Sequence, residues 1–133
     1  MAIPYIISQR TNSINANKSS IYFLKIVQND VVDINRLSKE IEKETSLSEV
    51  DVHAVLIALQ GKIMQHLEEG NVINLENLGK FSIAAKTIAH ENKEEVSVKD
   101  VQKFGINFMP SLKIKRWLKK DFKQKKNNTT NIQ

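Results

Sequence analysis

The stretch Leu67–Phe81, LEEGNVINLENLGKF, decides the fold of this chain. A long segment with apolar residues at helical spacing runs into it, and Gly70 is typical of a residue that ends a helix. Residues 72–75 alternate apolar and polar side chains as a strand does, and Asn77 and Gly79 favour a turn before a second strand. The stretch therefore predicts a corner at which a helix gives way to a β-hairpin.

Two helices are predicted before this corner. Asp33 can cap a helix over residues 34–44, because its carboxylate accepts hydrogen bonds from the free amides of the first turn. Ser48 with Asp51 resembles a capping box for a second helix over residues 49–69. The apolar residues of the second helix form two stripes, and one stripe contains Val52, Val55, Leu56, Leu59, Ile63 and Leu67. Apolar residues on two sides predict burial by this chain on one side and by another copy on the other.

Strands are predicted on both sides of the helical segment. Residues 3–10 and 21–28 are expected to form an N-terminal hairpin, and residues 81–89 and 101–108 a second pair. The segment between the second pair, residues 90–100, is polar and contains four acidic residues. The sequence SVKDV, residues 97–101, is expected to form a helical turn. Pro110 is suited to the start of a last helix that reaches about residue 123, and its apolar side is expected to pack on the body of the protein.

Positive charge is concentrated at the C-terminal end of the sequence. The last 21 residues contain eight of the 20 basic residues and one of the 15 acidic residues. Six of these cations fall on one side of the last helix, namely Lys113, Lys115, Arg116, Lys119, Lys120 and Lys123. Such a concentration favours an anionic partner, and a solubilising tail is the simpler alternative.

The residue patterns of common enzymes are missing from the sequence. There is no cysteine, none of the motifs GxxxxGK, GxGxxG and GxSxG is present, and the three histidines lack the spacing of metal ligands. We therefore expect no catalysis, no cofactor or metal ion, and no small-molecule substrate. No apolar run approaches the roughly 20 residues of a membrane span, and the first residues lack the pattern of a signal peptide. The sequence predicts a cytoplasmic protein without membrane contact.

Two short motifs carry a resemblance to a known family. They are Gly79-Lys80-Phe81 at the corner and Phe108-Met109-Pro110 before the last helix. In this order, with two helices before them, they resemble the HU/IHF family of bacterial DNA-architectural proteins over about residues 31–122. The resemblance implies an α+β fold with a two-helix base, an antiparallel sheet with a projecting arm, and a C-terminal helix. It also implies an intertwined dimer, of identical or of related chains.

The resemblance further implies a domain organisation and a function. Residues 1–30 are similar to the N-terminal strand extension of larger HU-like variants, residues 31–123 correspond to the DNA-binding domain, and residues 124–133 are expected to be a disordered basic tail. The implied function is that of a histone-like protein of the bacterial nucleoid, which binds double-stranded DNA through phosphates with little sequence specificity. The expected DNA-binding residues are Lys80, Lys86 and Lys103 together with the six cations of the last helix. The expected dimer contacts are Val55, Leu56, Leu59, Ile63, Leu67, Phe81 and Phe108.

The arm departs from the pattern of the family. Residues 82–107 contain neither proline nor arginine, and the acidic segment 90–100 would repel phosphate. The sequence therefore leaves an alternative open: an HU-like structural or protein-interaction module with weak or no DNA binding. In that alternative, the edge of the strand at residues 3–10 would recruit a partner strand.

Overall fold

A computed structural model of the chain describes residues 3–11, 14 and 20–119, together with the backbone of residues 125 and 126. The chain divides into two compact units, one formed by residues 1–31 with 119–133 and the other by residues 32–118. The strands are β1 (Pro4–Thr11), β2 (Ser20–Ile26), β3 (Ile73–Asn74), β4 (Gly79–Thr87), β5 (Val101–Pro110) and β6 (Lys125–Lys126). The helices are α1 (Ile34–Glu42), α2 (Glu49–Glu68) and α3 (Leu112–Leu118).

The first unit contains a three-stranded sheet in the order β2-β1-β6. Strands β1 and β2 pair antiparallel from Tyr5 opposite Ile26 to Thr11 opposite Ser20. Strand β6 lies parallel to β1, with Lys125 opposite Pro4 and Lys126 opposite Tyr5. Since β1 lies between β2 and β6, the edge of this strand that was predicted to recruit a partner is occupied at these two residues by the same chain. Two residues of the tail that was predicted to be disordered are thus in a strand, because backbone pairing does not depend on apolar side chains. The rest of that tail lies outside the described residues.

The second unit begins with two capped helices. The Asp33 carboxylate accepts a hydrogen bond from the Arg36 amide at 2.9 Å, which confirms the predicted start of α1. The Ser48 hydroxyl accepts from the Asp51 amide at 3.2 Å and donates to the Asp51 carboxylate at 2.6 Å, which confirms the predicted start of α2. Ser38 on α1 is fully buried, and its hydroxyl donates to the Ile34 carbonyl at 2.7 Å. A small, internally satisfied side chain at this position allows the two helices to pack closely.

The predicted corner follows α2. Gly70 adopts a φ of +80°, a left-handed conformation that suits glycine and ends the helix. The Gly70 amide donates to the Leu67 carbonyl at 3.0 Å, and the Asn71 amide donates to the His66 carbonyl at 2.9 Å. These bonds satisfy carbonyl groups that the end of the helix would otherwise leave without partners. The chain then enters the second sheet, which has the order β3-β4-β5.

The two sequence motifs lie opposite each other in this sheet. Gly79 pairs with Pro110, Lys80 with Met109, and Phe81 with Phe108. The rings of the two phenylalanines are 4.8 Å apart between centroids and tilted by 31°. This contact joins segments 27 residues apart, so the motifs belong to a single structural feature at the base of the arm.

The end of the arm is folded into two one-turn 3-10 helices, Lys93–Glu95 and Val98–Asp100. The second of them confirms the helical turn that SVKDV predicts. The Ile88 amide donates to the Asp100 carbonyl at 3.0 Å, and Ser97 with Asp100 forms a capping box. The arm therefore ends in an ordered turn that is closed by its own hydrogen bonds.

The last helix is shorter than predicted and packs less closely. The expected helix over residues 111–123 is observed only for Leu112–Leu118, and residues 120–124 lie outside the described residues. Ile114 is half-buried, but Trp117 and Leu118 are exposed. We expected the apolar side of this helix to pack on the rest of the chain. This expectation is wrong for Trp117 and Leu118, because other residues of the same chain leave both side chains exposed. No helix in the described ranges is long and apolar enough to cross a membrane.

Candidate nucleic-acid interface

The strands β4 and β5 give the second sheet two chemically different faces. Successive residues of a strand point to opposite faces, so the pairing register decides which side chains share a face. One face carries Phe81, Ile83 and Ala85 opposite Phe108, Ile106 and Phe104. The other carries Lys80, Ser82, Ala84 and Lys86 opposite Met109, Asn107, Gly105 and Lys103. We call these the apolar sheet face and the cationic sheet face.

The cationic sheet face brings together all three lysines that the sequence predicted on the hairpin. Lys80 lies near the base of the arm, and Lys86 lies opposite Lys103 farther out. Six residues of a strand separate the two positions, or about 20 Å. All three lysines are exposed, and none forms a salt bridge within the part of the chain that the structure describes. The face therefore presents uncompensated positive charge at both ends.

Ser111 fixes the start of α3 against the corner. Its amide donates to the Leu78 carbonyl at 3.1 Å, and its hydroxyl donates to the Asn77 carbonyl. The same hydroxyl accepts a hydrogen bond from the Ile114 amide at 3.1 Å and so caps the helix. Ser111 thus joins the hairpin turn to the first turn of α3, a role that no pattern in the sequence indicated.

An open groove lies between this turn and α3. Its lining includes Lys80, Lys113 and Lys115, together with polar side chains of Asn74 and Asn77. We call it the lysine groove. Glu76 also lines the groove, so the lining contains three cations and one carboxylate. The structure thereby combines one lysine predicted on the hairpin with two predicted on the last helix.

The remaining predicted cations are placed differently. Arg116 on α3 and Lys119 just after it are exposed, and Lys119 belongs to the first unit. Lys120 and Lys123 lie outside the described residues. The geometry of the site consequently rests on the lysine groove and the cationic sheet face.

The end of the arm is acidic and is held closed by His90. The His90 Nε2 atom lies 3.0 Å from Asp100 Oδ1, and its Nδ1 atom lies 3.6 Å from Glu95 Oε2. The hydrogen bond from His90, followed by that from the Ser97 amide, holds the pKa of the Asp100 carboxyl below its usual value. Asp100 is therefore ionised at neutral pH, and the arm end adds negative charge beyond Lys86 and Lys103.

The apolar residues predicted to contact a second subunit fall into three classes of exposure. Val55, Leu59 and Phe108 are exposed; Leu56, Ile63 and Phe81 are half-buried; Leu67 is buried within its own chain. The side chain of Leu67 is thus covered by the chain itself. The others leave apolar surface on α2 and on the apolar sheet face.

The described residues contain no cluster of three or more histidine, cysteine, aspartate or glutamate residues that could hold a metal ion. His66 lies beside Glu69 at the end of α2, with 3.5 Å between Nδ1 and Oε2. His90 closes the arm end, as described above. Both histidines therefore have carboxylate neighbours within the chain.

Comparison with known proteins supports this architecture. The family model for HU-HIG, described as an HU domain fused to wHTH, Ig, or glycine-rich motif, matches residues 1–126. The chain also superposes on the crystal structure of a candidate bacterial DNA-binding protein of Bacteroides vulgatus ATCC 8482, with a TM-score of 0.64 and 9% sequence identity. That alignment covers 94% of this chain and 47% of the other, so this chain spans about half the length of its structural neighbour. No curated protein matches the sequence.

Proposed function

Because the chain belongs to the HU-HIG family, whose HU-like α+β fold it shares, we propose that it is a dimeric DNA-binding protein of the bacterial nucleoid. It binds duplex DNA mainly through phosphate contacts and with little sequence specificity. The observation that carries this proposal is that three exposed lysines, Lys80, Lys113 and Lys115, line one groove. Exposed cations without carboxylate partners release counterions when they meet phosphate, and this release supplies affinity that does not depend on sequence.

The side chains of the cationic sheet face support phosphate contact rather than base recognition. Lysine acts as a point charge, whereas reading of bases relies on paired donors and acceptors such as those of arginine, asparagine or glutamine. Between the lysines the face carries short side chains, Ser82 and Ala84, with Asn107 as its single amide. A single amide on this face offers little discrimination between base pairs.

The proposed dimer explains why so little of the second unit is buried. Val52 and Leu67 are the only buried apolar side chains among the described residues. Val55 and Leu59 on α2 are 58% and 43% exposed, and Phe104 and Ile106 on the apolar sheet face are 67% and 63% exposed. A unit of this size needs far more buried apolar surface to offset the loss of chain entropy on folding. A second copy that covers both surfaces supplies it.

We expect the chain to have the mass of a dimer in solution and the variant Val55→Lys/Leu59→Lys to lose both dimer and fold. Two buried charges at the interface cost more than a dimer of this size can offset. Analytical ultracentrifugation and circular dichroism measure the two effects. The matched control is Gln60→Lys/Gln65→Lys, which adds the same two positive charges at exposed polar positions of the same helix and should remain a folded dimer. A wild-type chain that is monomeric and cooperatively folded at micromolar concentration would refute the dimer.

The arm end favours a second candidate function, that of a protein-interaction module. Beside the acidic residues, Val98 is 89% exposed, and Val96 is also exposed. Apolar side chains among carboxylates suit a basic protein surface better than a phosphate backbone. Binding to duplex DNA at low ionic strength separates the two candidates, because only the first requires it.

A further inference from the structure

The fold alone does not account for the lysine pair on the outer part of the arm. Lys86 and Lys103 lie directly opposite each other on adjacent antiparallel strands. Like charges in this arrangement repel at about 5 Å between Cβ atoms and destabilise the strand pair. Neither lysine has a salt bridge within the described ranges that would offset this repulsion. An anion between the two ammonium groups would turn the repulsion into binding energy.

Gly105 is the second feature without an explanation inside the chain. It pairs with Ala84, one step along the same face from the lysine pair. A Cβ atom built at Gly105 would meet no atom within 4 Å, and its φ lies outside the left-handed region. Glycine weakens a strand, so a side chain at this position would be expected to improve folding. What the glycine provides is access to the strand backbone from outside.

We propose that Lys86, Lys103, Ala84 and Gly105 form a phosphate seat, in which one phosphodiester group of duplex DNA lies between the lysines and over the glycine. This inference rests on the proposed function and adds Gly105 to its binding residues. The single negative charge of the phosphodiester relieves the repulsion between the two ammonium groups, and the missing side chain permits close approach. The acidic arm end beyond the seat, with Asp100 nearest to the strands, limits how far along the arm DNA phosphates can bind.

The test is the full-length variant Gly105→Val, which fills the seat and leaves both lysines in place. We expect it to fold to the same mass as the wild type and to unfold at the same or a higher temperature, because valine favours strands. Its affinity for a duplex of random sequence should fall on the order of tenfold per subunit at 0.1 M salt. The slope of log affinity against log salt should become shallower by about one for each subunit. Gly105→Ala should show smaller changes in the same direction.

A double-mutant cycle distinguishes the seat from a distant effect of valine. Lys86→Gln/Lys103→Gln should weaken binding at least as much as Gly105→Val. Adding Gly105→Val to that variant should cause no further loss, because both changes remove the same phosphate contact. Lys93→Gln/Lys99→Gln removes the same charge from the arm end and should weaken binding less.

The outcomes separate the seat from the proposed function. If the wild type does not bind duplex DNA at low salt, the proposed function fails, and the seat fails with it. If the wild type binds, and Gly105→Val retains its affinity and salt slope, the seat is refuted while the proposed function stands. Additive losses in the cycle, or equal losses in the two double-lysine variants, also refute the seat. If Gly105→Val does not fold, the affinities of Lys86→Gln/Lys103→Gln and Lys93→Gln/Lys99→Gln are compared instead, and equal losses refute the seat.

Discussion

Gly79→Ala is expected to destabilise the protein by roughly 3 kcal/mol or more, a large part of the stability of a domain this size. Gly79 is buried, and an added Cβ would overlap the Met109 carbonyl oxygen and lie 2.7 Å from Phe108 Cε2. Its φ of +151° is also one that alanine rarely adopts. Both the steric overlap and the unfavourable φ arise where the two sequence motifs pair. The overlap could be removed only if β4 and β5 separated at the base of the arm. Denaturation by urea, followed by circular dichroism, measures the loss.

The control for this prediction is Gly105→Ala, the same substitution in the same strand pair. A Cβ at Gly105 meets nothing within 4 Å, so the free energy of unfolding of the Gly105→Ala variant should equal or exceed that of the wild type. A Gly79→Ala variant within about 0.5 kcal/mol of the wild type would contradict the close packing of the motifs.

Reversal of the three cations of the lysine groove, Lys80→Glu/Lys113→Glu/Lys115→Glu, is expected to weaken duplex binding by at least about a thousandfold. In a dimer the change removes six positive charges and adds six negative ones around the proposed phosphate contacts. All three side chains are exposed, and none has a salt bridge among the described residues, so the fold should be retained. Fluorescence anisotropy with a labelled duplex measures binding, and thermal unfolding monitors the fold.

The matched control makes the same change of net charge on the two-helix base. Lys39→Glu/Lys43→Glu/Lys62→Glu alters three exposed lysines of α1, its C-cap and α2, and should weaken binding far less. Equal losses in the two variants would mean that net charge, and not the groove, determines affinity. Retained affinity in the groove variant would remove the lysine groove from the interface.

Much of the fold could be predicted from local residue patterns. Asp33 and Ser48 indicated where the helices begin, and Gly70 indicated where α2 ends, because caps and left-handed turns depend on few neighbouring residues. The match of Gly79-Lys80-Phe81 and Phe108-Met109-Pro110 to a known family supplied the order of the remaining elements. The family model and the α+β structure confirm this part of the prediction.

The details of the candidate site depended on contacts that the sequence does not specify. The pairing register places Lys80 and Lys86 of β4 on the same face as Lys103 of β5. A shift of this register by one residue would have moved Lys103 to the opposite face. His90 lies 5 and 10 residues from its two carboxylate partners along an irregular segment, so no periodicity could pair them. Trp117 was expected to be buried because amphipathic helices usually bury their apolar side. The sequence pattern does not reveal whether the residues that bury it belong to the same chain or to a second copy.

The most direct test of the proposed function is the affinity of the wild-type protein for duplex DNA at several salt concentrations. If about six phosphates are neutralised, log affinity should fall against log salt with a slope of about −5, and sequence should matter little. The affinity would then drop on the order of a thousandfold between 50 and 200 mM salt. No binding at micromolar protein in low salt, or binding that salt does not weaken, would contradict the proposal that this protein binds duplex DNA through phosphate contacts. Either result would favour the protein-interaction module.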